Sequence, residues 1–167
     1  MKLNRIWLAA LALPFVAAAQ VAPATAKTDP KASLAVINAN VAKITYAPER
    51  ERWQANAAAW QIVVAHPAGL DETQLAEAKS NLGTMCFNMS KVRDVGEKER
   101  WQANVDLWNL LIANNGVFAK SDVAKAKALV DKIAMNLARV DEAGEKERWQ
   151  ANLDIWRAML DRAMTAA

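Results

Sequence analysis

Apolar side chains recur along this chain with helical spacing, and they do so in three successive copies. On a helix of 3.6 residues per turn, Asn56, Ala57, Trp60 and Val64 fall within about 60 degrees of Trp53. Val105, Ile112, Leu153 and Leu160 continue that stripe in the later copies, and Leu107, Leu111, Ile155 and Met159 widen it. An apolar face of this period predicts three amphipathic helices, the B helices, over roughly 49–65, 97–113 and 145–164. A fainter series lies upstream of each. Leu34, Ile37, Val41 and Ile44 align with Leu82, Met85, Met89 and Val92, and again with Val130, Ile133, Leu137 and Val140. Their spacing places all four on one side of a second helix per copy, predicting A helices over roughly 32–45, 72–94 and 121–141.

Turn residues fall where the two helices of a copy should meet. Pro48, Gly96 and Gly144 share one repeat position just before the Glu-rich start of helix B. Proline suits the first turn of a helix, and glycine supplies the backbone angles of a tight reversal. Asp71 with Gln74 forms a capping box at the second A helix. The chain therefore reads as all-α: three tandem αα-hairpins of 48 residues, six helices, with hairpins at about 32–65, 71–113 and 121–164. They could stack as a short solenoid or close into a compact helical bundle.

The first B helix departs from the others. Ala55, Ala58, Ile62 and Ala65 make a second apolar face opposite the main stripe, and Ala58 stands where the later copies have Asp106 and Asp154. A terminal hairpin of an open solenoid should be polar there, so this face is expected to be covered. A homodimer through the first hairpin is preferred to closure of the three units.

Within the repeat, Glu-Arg-Trp-Gln-Ala-Asn is identical in all copies, at Glu51–Asn56, Glu99–Asn104 and Glu147–Asn152. A second tryptophan follows each: Trp60, Trp108 and Trp156. The A helices have drifted and the hexad has not, so more than generic packing holds it. Trp53, Trp101, Trp149 and their partners are read as core, since such stripes are usually buried. Asn56, Asn104 and Asn152 lie within the apolar face, and Asn40, Asn88 and Asn136 lie beside the stripe of helix A. Buried amides need partners, so these six are expected to form a polar latch within each hairpin with Arg52, Arg100 and Arg148. The competing reading is a pocket for a small polar ligand. Gln54, Gln102 and Gln150 point outward with Glu51 and its copies, and a repeated Glu–Arg contact to the neighbouring unit would explain their identity.

The amino terminus has a basic start, a short apolar run Ile6–Val16 and the small-residue sites Ala17–Ala19 and Ala24–Ala26. Residues 1–26 are therefore expected to be a signal peptide, cleaved after Ala26 or, as the alternative, after Ala19. The mature protein, 27–167, would be a single periplasmic or secreted domain with no membrane span. Without the leader the chain holds 19 basic and 18 acidic side chains, a balance that disfavours nucleic acid.

The chain has one cysteine and one histidine, too few parts for most hydrolytic or redox chemistry, so neither an enzyme nor a cofactor is expected. Met85, Cys86 and Met89 are soft donors of the type that holds Cu(I), although Met85 and Met89 align with Ile, Val and Leu in the other copies. Two readings of function remain. One is an exported binding or scaffold protein acting on a protein partner or a small polar ligand. The other is a carrier of copper or a small molecule using Met and Cys or the Asn/Gln/Trp cluster.

Overall fold

The computed structural model describes residues 29–165, and the predicted signal peptide lies outside the described residues. Within that range each repeat is a helical hairpin. The A helices are α1 (Pro30–Val41), α3 (Glu72–Met89) and α5 (Val123–Leu137); the B helices are α2 (Ala47–Ala65), α4 (Val95–Ala113) and α6 (Ala143–Thr165). A 3-10 turn at Lys120–Asp122 leads into α5, and no strand occurs among the described residues.

The A helices stop sooner than the apolar spacing predicts. After Val41, Met89 and Leu137 the chain makes the same pair of tight turns in every copy, with Ile44, Val92 and Val140 each donating an N–H to the carbonyl three residues back, at 3.1, 3.0 and 3.1 Å. Ile44 and Val140 are nevertheless buried. The turn keeps these side chains on the core side, which is why the apolar series continues past the helix ends.

Gly96 and Gly144 do not supply a left-handed reversal. They are the second residues of α4 and α6, and the positive-φ glycines are Gly69 and Gly116 instead. The reversal is made before them with ordinary backbone angles, and α4 is capped by Asp94, whose carboxylate accepts from the Glu97 N–H at 2.6 Å. What the two glycines leave is room: an added Cβ would lie 3.6 Å from Arg100 Nη1 at Gly96 and 3.5 Å from Arg148 Nη1 at Gly144. The capping box of Asp71 and Gln74 is present, with bonds of 2.9 and 3.0 Å.

The three hairpins close on themselves. The B helices surround a pseudo-threefold axis and the A helices lie outside them, each packed more broadly on the B helix of the preceding unit than on its own. Thus α3 rides on α2, α5 on α4, and α1 completes the ring on α6. Of the two arrangements open to a three-hairpin chain, this is the compact bundle, with one continuous core.

Closure covers much of the first B helix from within its own chain. A ring has no terminal hairpin, so α2 packs against both α1 and α3 of its own chain. Ala55 and Ile62 are buried there, Ala58 is half-buried, and only Ala65 is exposed. No helix of the described residues is long and apolar enough to cross a membrane.

Candidate functional site

The conserved spacing of the hexad puts its side chains into successive layers along the axis. A rise of about 1.5 Å per residue sets Asn56 about 4.5 Å, and Trp60 about 10.5 Å, beyond Trp53. In the first layer Trp53, Trp101 and Trp149 meet edge to face, with centroids 4.9 to 5.0 Å apart. In the third, Trp60, Trp108 and Trp156 pack at 4.3 to 5.1 Å, and Phe118 adds to Trp156 at 5.9 Å. All six indoles are at most 1% exposed. Edge-to-face geometry suits the ring quadrupoles and adds about 0.5–1.5 kcal/mol per pair beyond burial.

Between the two tryptophan layers the asparagines form a closed ring. Asn56 Nδ2 donates to Asn152 Oδ1 at 3.0 Å, Asn152 to Asn104 at 2.9 Å, and Asn104 to Asn56 at 3.0 Å. Each Oδ1 also accepts an indole N–H: Trp60 to Asn152 at 2.8 Å, Trp108 to Asn56 at 2.9 Å and Trp156 to Asn104 at 2.8 Å. Asn56 and Trp60 are one helical turn apart on α2, so one helix delivers both donors to the same oxygen of the preceding unit.

The arginines lie towards the amino-terminal ends of the B helices. Arg52 pairs with Glu97, Arg100 with Glu145 at 2.6 Å and Arg148 with Glu49 at 2.7 Å, again each unit to the next. Every guanidinium also sits over an indole of the following unit, at 4.8 Å for Arg52 on Trp101 and 5.7 to 5.8 Å in the other two copies. Burial dominates the electrostatics of the first pair. It lowers the Arg52 pKa and raises that of Glu97, each against the attraction of the other. The Nε of all three arginines and the Nε1 of Trp101 and Trp149 are buried without a hydrogen-bond partner among the described residues. Cation–π contact offsets part of that cost for the guanidiniums.

The asparagines of the A helices complete the junctions. Asn88 Nδ2 donates to Glu51 at 3.2 Å, Asn136 to Glu99 at 3.2 Å and Asn40 to Glu147 at 3.1 Å. The pairing is therefore between hairpins and not within each hairpin, where the sequence pattern places it. The two sets of asparagines do not meet one another. The Glu–Arg contact between units exists, but its acids are Glu49, Glu97 and Glu145, two residues before the hexad glutamates. Gln102 and Gln150 stay exposed and donate to Asp106 at 3.0 Å and Asp154 at 2.9 Å on their own helices; Gln54 is exposed and has Ala58 in that place.

The soft donors differ in their exposure. Met85 is fully buried, Met89 partly so, and Cys86 is exposed, with its thiol pKa raised by burial and by Asp106. His66 ends α2, its ring nitrogen 2.8 Å from the Ile62 carbonyl oxygen. Among the described residues no group of His, Cys, Asp and Glu has the arrangement of a metal site.

One surface cleft has a lining that differs from the residues at the equivalent positions of the other junctions. At the junction of the first and second hairpins a polar cleft of about 380 Å³ opens beside Tyr46, Lys91, Arg93 and Glu97. The sequence pattern gives these residues no prominence. The signal that could find them is the break in repetition, since Tyr46 occupies the position of Asp94 and Glu142. No protein-family model, curated protein or solved structure matches this chain.

Proposed function

We propose that this is an exported, non-catalytic binding or scaffold protein in which the repeated residues build the bundle and the unrepeated surface carries recognition. The observation that supports this most is that the hydrogen bonds of the buried repeated residues are made to other units of the same chain. Arg52, Asn56 and Trp60, with their copies, take their hydrogen-bond partners from neighbouring units of the same chain. In this reading Arg, Trp and Asn of the hexad are latch residues that fix the register of the three hairpins, a role known for buried polar groups in helical assemblies. Recognition then belongs to positions that differ between copies.

The test separates latch from surface. Mature protein recovered from the native host would be analysed by mass spectrometry for whatever co-purifies at stoichiometric level, alongside variants of hexad and unrepeated positions. The expected result is a bound species lost on changing exposed, unrepeated residues and retained in a destabilised but folded Asn104 variant. Loss of the species in a hexad variant of undiminished stability would move the binding site to the axis and overturn the proposal. A fusion of residues 1–26 to a reporter tests export, and retention of the reporter in the cytoplasm would remove that part.

A further inference from the structure

The three junctions share one plan, so a specialised site should lie where one of them breaks it. Around the first junction cleft the acids already have partners. Glu97 is paired with Arg52, Glu49 accepts from Arg148 at 2.7 Å, and Asp94 caps α4 through the Glu97 N–H. Three cations, Arg52, Lys91 and Arg93, line the cleft with these three acids, and two of the cations have no acidic partner among the described residues. Lys91 meets only the neutral Asn88 Oδ1, at 3.0 Å, and the Phe87 ring, while Arg93 makes no hydrogen bond or ion pair among the described residues. The Tyr46 hydroxyl is likewise without a bond, on a side chain 57% exposed.

Repeat register sharpens the contrast. Arg93 stands where the other copies have Thr45 and Asp141, and Tyr46 where they have Asp94 and Glu142. The second junction thus places Asp94 and Asp141 where the first places Tyr46 and Arg93, so the first has one more cation and two fewer acids at these two positions, although Asp94 also borders the first cleft. The unpartnered Nε of Arg52 recurs at Arg100 and Arg148, so it belongs to the shared plan and is not counted for the cleft.

Resting on the reading of this chain as a binding protein, we propose that the first junction binds a small organic anion. Its carboxylate or phosphate group is held by Arg93 and Lys91 and oriented by the Tyr46 hydroxyl. A volume of about 380 Å³ is within the range of small-molecule sites, and the guanidinium fork suits either oxyanion. The exposed setting makes the interaction weak and salt-sensitive.

Amide NMR of the mature protein, titrated with orthophosphate, citrate and glucose 6-phosphate at matched ionic strength, tests this. Saturable shifts are expected for at least one probe, centred on residues 91–94 and Tyr46. Affinity should fall about tenfold or more in Arg93→Ala and stay unchanged in Arg139→Ala, which removes a cation from the second junction. Arg93 is exposed and makes no hydrogen bond or ion pair among the described residues, so its variant should keep the wild-type far-UV spectrum. The proposal is overturned by no saturable shift with any probe, by wild-type affinity in Arg93→Ala, or by equal shifts at all three junctions. Failure here with a partner still co-purifying would remove the anion site and leave the broader reading standing.

Discussion

Asn104→Ala should be among the most destabilising substitutions of a single polar residue in this protein. The side-chain oxygen of Asn104 accepts from Asn152 at 2.9 Å and from Trp156 at 2.8 Å, and its amide donates to Asn56. Truncation leaves two fully buried donors unpaired, while the Asn56 oxygen keeps the indole of Trp108. At about 1–3 kcal/mol for each stranded donor the loss comes to about 2–6 kcal/mol, before any cavity term. Domains of this size hold about 5–15 kcal/mol in all, so the effect should be large in urea unfolding followed by tryptophan fluorescence and circular dichroism. A double-mutant cycle with Trp156→Phe isolates the polar part. Phenylalanine has no N–H to strand, so Trp156→Phe should cost about 1–3 kcal/mol less in the Asn104→Ala background than in the wild type. Additive effects, or a loss below about 1 kcal/mol for Asn104→Ala alone, would refute the idea that the ring bonds hold the axis.

Three further outcomes follow from the same geometry. Gly83 lies in α3 with nothing within 4 Å of an added Cβ, so Gly83→Ala should stabilise by about 0.5–1 kcal/mol; Gly116, at φ +84° with Leu70 Cγ 2.4 Å from that Cβ, should lose about 2 kcal/mol or more as alanine, both read by thermal unfolding. Ala58→Asp should be neutral to within about 0.5 kcal/mol and leave the oligomeric state unchanged by sedimentation, because it restores the Gln–Asp pair seen at Gln102–Asp106. Glu142 caps α6: burial acts to raise its pKa, but bonds from the Glu145 and Gly144 N–H groups outweigh it and the net shift is downward. The stabilisation is complete above the ordinary carboxyl range and lost as pH falls through the lowered pKa, so the melting temperature of Glu142→Gln should converge on that of the wild type in acid.

The six helices were legible because their apolar positions keep a period of 3.6, and the deep placement of Trp53 and its copies followed from the centre of the stripe. The ends of the A helices were not, since Ile44 and Val140 go on pointing inward after the backbone has left the helix. Closure was also hidden. A 48-residue hairpin repeat serves an open stack or a ring equally well, and the choice depends on the rotation between units, set by the size of the side chains that meet on the axis. For the same reason the asparagine pairs were misplaced. Within one hairpin Asn40 and Asn56 look like natural partners, yet in a ring the nearest partners of each belong to a different unit. The cleft at Tyr46 and Arg93 escaped because its meaning is comparative: neither residue is unusual until its copies are aligned with it.

That ring also explains why the hexad is identical while the A helices have drifted. In an open stack, one unit can change and its neighbour can compensate on a separate surface. Here Asn56, Asn104 and Asn152 touch one another directly, and so do the three indoles of each layer. A substitution in one copy strands donors in another, and no single second change repairs all three contacts. The A helices bear on the B helices through apolar grooves, where Ile37, Met85 and Ile133 fill equivalent places with different shapes. Their polar anchors are the exception. Asn40, Asn88 and Asn136 each meet a glutamate of another unit, and they keep one residue type in all three copies while their apolar neighbours vary. At the tryptophan, asparagine and arginine positions, identity accompanies contact with a copy of the same residue or with a charged partner across a junction. The axial contacts give the constancy of Trp53, Asn56 and their copies a structural reason that calls on no ligand.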